Sequence, residues 1–286
     1  MKLVKTINEM REVVKLCQKE GKLIGFVPTM GNLHQGHISL ARESKKDAGV
    51  TIVSIFVNPT QFAPHEDFNK YPRTLENDLK LLEAVGVDYV FAPTEKDMYP
   101  SQTKTLVMVG GELTNALEGC SRPGHFNGVT LVVNKLFNIV QPDFAYFGQK
   151  DAQQARVIYQ MVQDLSMPLQ MKVMPIVRES DGLAMSSRNQ YLDKKARAIA
   201  PALNEGLNEG VSAIKNGEKD PMQILAIISE HLICFPEIEM DYIAVVDPVT
   251  FEEVTEIRKD VLIVGAIHVG STRLIDNCFV DKTSKY

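Results

Sequence analysis

Two histidines, His34 and His37, stand in the stretch 28–40 (PTMGNLHQGHISL), between a short apolar run and a segment with helical period. A helix that begins near Gly36 carries His37 in its first turn and His34 just ahead of it. Such a turn has backbone N–H groups without partners and the positive end of the helix dipole, so imidazoles placed there can share one anion with them. Phosphate is the anion this suits. Gly36 has no side chain, which lets a flat base or a ribose lie close to the backbone, and Gly31 and Gly36 permit the turn. Spacing by itself leaves two other readings open: surface or core histidines, and a zinc pair, which lacks a third Cys or His nearby.

Three further polar clusters fall at junctions between an apolar run and a helical or irregular segment: Asn58-Pro59-Thr60-Gln61-Phe62, Gly148-Gln149-Lys150-Asp151 and Met185-Ser186-Ser187-Arg188. Open parallel sheets bind ligands at such places, beyond the carboxyl ends of the strands. Lys150 can neutralise a phosphate there, while Asp151 caps the helix or accepts from a sugar hydroxyl; a cap beside a solvated lysine is the plainer alternative. Ser186, Ser187 and Arg188 offer two hydroxyls and a guanidinium to polyphosphate oxygens, although the same run also reads as a turn. Gln61 and Gln154 both donate and accept, as the hydroxyls and carboxylate of a small polar substrate require, and each sits beside another cluster. Asp78 reads as a solvated acid or, where phosphates bring the ion, as a Mg2+ ligand.

The elements that must position these groups alternate along the chain. Apolar, β-branched runs predict strands over 22–30, 50–57, 88–91 and 143–147, and helical period predicts helices over 36–46, 74–85, 129–140 and 151–164. Val129, Val132, Val133, Leu136, Phe137 and Val140 form one apolar stripe. Successive strand–helix units of this kind build a parallel sheet. After Asn189 the texture turns to an Ala-, Asn- and Glu-rich helical stretch, then to antiparallel strands over 240–246 and 261–269. The expected architecture is α/β: a Rossmann-like parallel-sheet domain over 1–180 and a smaller C-terminal α+β domain over 181–286. The smaller domain opens with the Ser-Ser-Arg cluster and is expected to act as a lid.

Composition narrows the partners. The 286 residues are 44% hydrophobic and 23% charged with a formal net charge of -5, which argues against nucleic acid or an acidic membrane surface and favours a small molecule. The four cysteines form no C-x-x-C pair and the N-terminus is too charged for a secretory segment, so the expectation is a reduced, cytoplasmic protein. No apolar run approaches the ~20 residues of a spanning helix.

Taken together, PTMG-x-LH-x-GH, SIFVNPTQF, YPRT, HFNGV, FGQKD-x-QQ and VRE-x-DGLAMSSRN-x-YL resemble, in order and spacing, the pantoate:beta-alanine ligase family, a branch of the nucleotidyltransferases with the H-x-G-H signature. The match runs from about Phe26 to Leu192 and continues more weakly through GSTRLIDN, 270–277. The resemblance implies condensation of pantoate with beta-alanine, driven by ATP through an enzyme-bound pantoyl adenylate, with release of AMP and pyrophosphate. It implies ATP contacts from Met30, Gly31, Asn32, Leu33, His34, Gln35, Gly36 and His37. It implies further ones from Gly148, Gln149, Lys150, Asp151, Val177, Met185, Ser186, Ser187 and Arg188. His34, His37 and Lys150 would be catalytic, with His37 the proton donor. Gln61, Gln154 and Met30 would hold pantoate, with His125, Arg122 and Tyr71 supporting them or the amine side. Where family members carry adjacent acidic residues this chain has Asn77-Asp78, so Asp78 alone would serve Mg2+. A homodimer is also implied, and the apolar run 53–57 is compatible with an edge that could pair.

Overall fold

The computed structural model describes residues 1–64, 66–101 and 103–281. Strands β1 (Lys2–Val4), β2 (Ile24–Thr29), β3 (Val50–Ile55), β4 (Tyr89–Phe91), β5 (Phe144–Gly148) and β6 (Gln170–Met174) form one sheet, and β7 (Ile238–Val246), β8 (Val261–Val269) and β9 (Thr272–Val280) form another. The helices are α1 (Ile7–Lys19), α2 (Gln35–Asp47), α3 (Leu75–Val85), α4 (Glu95–Met98), α5 (Glu112–Asn115), α6 (Glu118–Ser121), α7 (His125–Val140), α8 (Ala152–Asp164), α9 (Lys194–Ile199), α10 (Ala202–Lys215) and α11 (Pro221–Ile233). The chain divides into two compact units: Met1–Gly148 with Gln154–Pro175, and Gln149–Gln153 with Ile176 onward.

In the first unit the six strands are all parallel, in the order β1-β4-β3-β2-β5-β6. β2 and β3 are covered on both faces, which is why their residues run as continuous hydrophobic stretches rather than alternating. Phe26, Ile52 and Tyr146 are fully buried, and removing a side chain of that size from water contributes roughly 1.5–3 kcal/mol. The order places β2 between β3 and β5, so the chain leaves the central strands in two directions from one point. That reversal opens a crevice beyond the carboxyl end of β2, where the PTMGNLHQGH segment emerges.

The second unit packs the antiparallel sheet β7-β8-β9 against α10 and α11 around Leu203, Leu207, Ile224, Ile228, Ile263 and Ile267. This is the α/β plus smaller α+β architecture the sequence predicts. Elements not anticipated include β1, α1, β6 and β9 and the short helices α4, α5 and α6. β1 is three residues long and β6 is mostly part-exposed, so neither shows the buried apolar run that marked the interior strands. One expectation is corrected: the run 53–57 is no sheet edge. β3 lies inside the sheet between β4 and β2, with Val53 1% exposed.

Candidate active site

The loop after β2 is built from backbone bonds before any ligand is considered. Gly31 and Asn32 both adopt positive φ, 83° and 50°. Thr29 Oγ1 accepts the N–H of Gly31 at 3.2 Å and donates to the carbonyl of Ser54 at 2.7 Å. From α3, the carboxylate of Asp78 accepts Asn32 N–H at 3.0 Å and Leu33 N–H at 2.9 Å, and the hydroxyl of Thr74 donates to it at 3.1 and 3.2 Å. Thr74, the N-cap residue of α3, gives its hydroxyl to Asp78 and makes no side-chain capping bond.

That geometry gives Asp78 a part beside the Mg2+ role expected of it. The residue is 0% exposed and its two oxygens accept from Asn32 N–H, Leu33 N–H and the Thr74 hydroxyl, so a cation there competes with three donors. Among the described residues no group of three or more His, Cys, Asp or Glu side chains is arranged to hold a metal ion. Asp78 shapes the loop.

The histidines cap α2 reciprocally. His34 is the N-cap residue and its Nδ1 accepts Gly36 N–H at 3.2 Å, while His37 Nδ1 accepts His34 N–H at 3.3 Å. The rings lie with centroids 4.1 Å apart at 46°. A nitrogen that accepts from a backbone N–H carries no proton of its own, so in each neutral ring the proton sits on Nε2. Both imidazoles are thereby fixed as Nε2–H donors. Gly36 also makes room for the cap itself: a Cβ there would sit 2.9 Å from the His34 ring.

Gln61 and Met30 are brought together. Gln61 is 8% exposed; its Nε2 donates to Met30 Sδ at 3.2 Å and its Oε1 accepts Asn58 Nδ2 at 3.0 Å. Asn58 also donates to Gly128 O at 3.1 Å and accepts from Tyr99 Oη at 2.8 Å. Behind Gln61, His125 Nδ1 meets its carbonyl at 2.8 Å and His125 Nε2 meets Arg122 Nη1 at 3.0 Å. Arginine only donates, so Nε2 is the acceptor and Nδ1–H donates to Gln61. Burial, reinforced by the Arg122 charge, pushes the imidazole down to about 4. Arg122 also grips Glu66 with two bonds of 2.7 Å. Burial opposes ionisation of Glu66, but those bonds and the guanidinium charge win and hold the carboxyl below its usual range. Tyr71 is buried with its ring edge-on to Phe62. Gln154 is half-buried in the first turn of α8, which follows β5.

In the second unit, Lys150 Nζ stands 3.6 Å from Asp151, a loose pair with the carboxylate half exposed. Ser186 caps the short helical turn Ser187–Tyr191, its Oγ accepting Arg188 N–H at 3.2 Å. Just before it, Met185 N–H donates to Val177 O at 3.0 Å and closes a hairpin. Asn189 supports that hairpin from the far side, donating to Ala184 O at 3.1 Å. Gly148, the last residue of β5, belongs to the first unit.

Sequence reasoning placed Asn58 in a polar cluster without giving it a role of its own, and gave none to Gly128. Asn58 carries a legible signal, since Asn before Pro caps a turn, and it does cap Pro59–Gln61 through Thr60 N–H. Gly128 carries none, because its reason is a close approach to a distant segment.

A family model described as Pantoate-beta-alanine ligase matches residues 2–279. The chain is 52% identical to the pantothenate synthetase of Acetivibrio thermocellus and 51% to that of Fervidobacterium nodosum, over 281 residues, 98% of this chain and 100% of each relative. Among solved structures, pantothenate synthetase from Thermus thermophilus superposes with a TM-score of 0.92 at 42% identity, covering 97% of this chain and 99% of that one. A pantoate-beta-alanine ligase from Francisella tularensis, complexed with beta-gamma ATP and beta-alanine, gives a TM-score of 0.79 at 35% identity, over 98% of this chain and 97% of that one.

Proposed function

The chain belongs to the pantoate-beta-alanine ligase family, and from that premise we infer that it condenses pantoate with beta-alanine in an ATP-dependent reaction that releases AMP and pyrophosphate. The observation that carries the site assignment is the reciprocal capping of His34 and His37, which fixes two Nε2–H donors at the carboxyl end of β2. The pantoate carboxylate attacks the α-phosphorus, a P–O bond forms, and the bond to the pyrophosphate oxygen breaks. Charge grows on the phosphate oxygens as this happens, and fixed donors stabilise it without having to reorganise. The amine of beta-alanine then attacks the acyl carbon of the adenylate, and AMP leaves as the amide forms.

The residue roles are those the family resemblance implies. His34 and His37 donate to phosphate oxygens, with His37 the proton donor, and Lys150 offsets charge on the α-phosphate. Ser186, Ser187 and Arg188 serve the β- and γ-phosphates. The backbone of Met30, Gly31, Asn32, Leu33, Gln35 and Gly36 lines the nucleotide, Gly148, Gln149 and Asp151 meet the ribose side, and Val177 and Met185 the adenine. Gln61 and Gln154 bind the polar groups of pantoate while Met30 packs on its methyl groups. Residues 1–180 thus carry the acid-activating chemistry, and 181–286 the contacts to the departing pyrophosphate. Mg2+ enters with ATP as part of the substrate, held by the phosphates. The protein works in the cytoplasm as a homodimer whose interface lies away from β3; sedimentation velocity tests the dimer.

The decisive experiment mixes purified protein with ATP, Mg2+, pantoate and beta-alanine and follows AMP. AMP is expected only when both the acid and the amine are supplied. An adenylylated acid accumulating as the final product would instead make the protein a plain nucleotidyltransferase, and no AMP above the no-pantoate control would end the ligase reading.

A further inference from the structure

Near the C-terminal end of the chain, in the middle of β9, two adjacent polar residues are buried, Asp276 (5% exposed) and Asn277 (4%). Burying such groups costs free energy unless their bonds are made elsewhere. The Asn277 side chain makes its bonds to one short segment: Nδ2 donates to Gln149 O at 2.9 Å and to Lys150 O at 3.1 Å, and Oδ1 accepts Gln149 Nε2 at 3.1 Å. Asp276 takes Arg178 in a two-pronged pair at 2.5 and 3.0 Å, and Arg178 reaches on to Gly182 O at 3.0 Å. That braces the hairpin closed by Val177 and Met185. Consecutive strand residues point to opposite sides, so one strand position can hold two separate segments.

We propose that Asn277 and Asp276 are positioning residues for the nucleotide: Asn277 fixes the backbone that aims Lys150, and Asp276 fixes the hairpin that carries Val177 and Met185. The inference rests on reading those two segments as ATP contacts. It explains the residue types. Two carbonyls and one amide N–H converge on a single short side chain, and only asparagine offers two donors and an acceptor at that length. An aspartate of the same shape sets a carboxylate oxygen against two carbonyl oxygens. An aliphatic residue removes the side-chain bonds to both carbonyls.

The test is Asn277→Asp, with Lys150→Ala alongside. The expected result is a KM for ATP raised tenfold or more and pyrophosphate exchange slowed by a similar factor, with the KM for pantoate within twofold of wild type. Asn277→Ser, which removes the paired donors without adding charge, carries the same ATP-against-pantoate split should the aspartate variant not fold. Wild-type ATP parameters in the Asn277 variants beside an impaired Lys150→Ala would overturn the inference alone, as would ATP and pantoate constants that worsen in parallel. A wild-type Lys150→Ala would overturn the reading of the loop and this inference with it.

Discussion

Asp78 Oδ1 accepts the backbone N–H of Leu33 at 2.9 Å, tying helix α3 to the loop after β2 across 45 residues of chain. Its other oxygen holds Asn32, so a carboxylate expected as a metal ligand also fixes the shape of the loop. Asp78→Ala strands two backbone donors, and each buried donor left unpaired costs about 1–3 kcal/mol. The urea midpoint should therefore fall by the equivalent of roughly 2–6 kcal/mol in total. In Asp78→Asn, the Mg2+ concentration giving half-maximal rate should match wild type at saturating ATP; a large increase would support the metal role.

His34 joins two jobs that substitution can separate. Asparagine is a good N-cap residue, so His34→Asn keeps the acceptor for Gly36 N–H and should unfold within about 1 kcal/mol of wild type. It loses the Nε2–H donor. Pyrophosphate exchange should drop by roughly two orders of magnitude, and His37→Ala and Lys150→Ala should lose at least as much. A fast exchange reaction in all three would show that the phosphate is held elsewhere.

The His125 imidazole links stability to pH. Its proton affinity is depressed in the fold, to about 4, so the unfolded chain binds the extra proton first as pH falls. Stability is complete above about 6.5, the free histidine value, and is lost progressively down to about 4. The whole effect amounts to roughly 3 kcal/mol. Denaturation midpoints measured from pH 7 to pH 4 should fall more steeply for wild type than for His125→Phe, and equal slopes would remove His125 as the cause.

Gly128 in α7 packs against the turn that carries Gln61. A Cβ there would lie 2.2 Å from Thr60 O and 2.6 Å from Gln61 Cα, so any side chain must push the turn away. Gly128→Ala should cost about 1–3 kcal/mol of stability, the usual range for overpacking. The displacement falls on Gln61, so the KM for pantoate should rise about tenfold, the loss of one positioned hydrogen bond. The KM for ATP is expected to hold, and titrating each substrate separately reads the split.

The amino-acid sequence by itself determined the alternation of strands and helices, the parallel sheet, the histidine pair at a helix start, and the family through motifs in fixed order. Those are local patterns: period, caps and short spacings are set by backbone geometry within a few residues. Only the tertiary structure decided what Asp78, His125, Gly128 and Asn277 do. Their partners lie 45, 64, 70 and 127 residues away, and no spacing rule reaches that far. An acid in the first turn of a helix reads alike whether it faces solvent, a cation or a distant loop. The strand order β3-β2-β5 brings the loop 30–33, the Gln61 turn and the end of β5 to neighbouring strand ends. The folded chain gives Asp78 backbone donors to hold and gives His125 the burial that, with the Arg122 charge beside it, keeps it neutral.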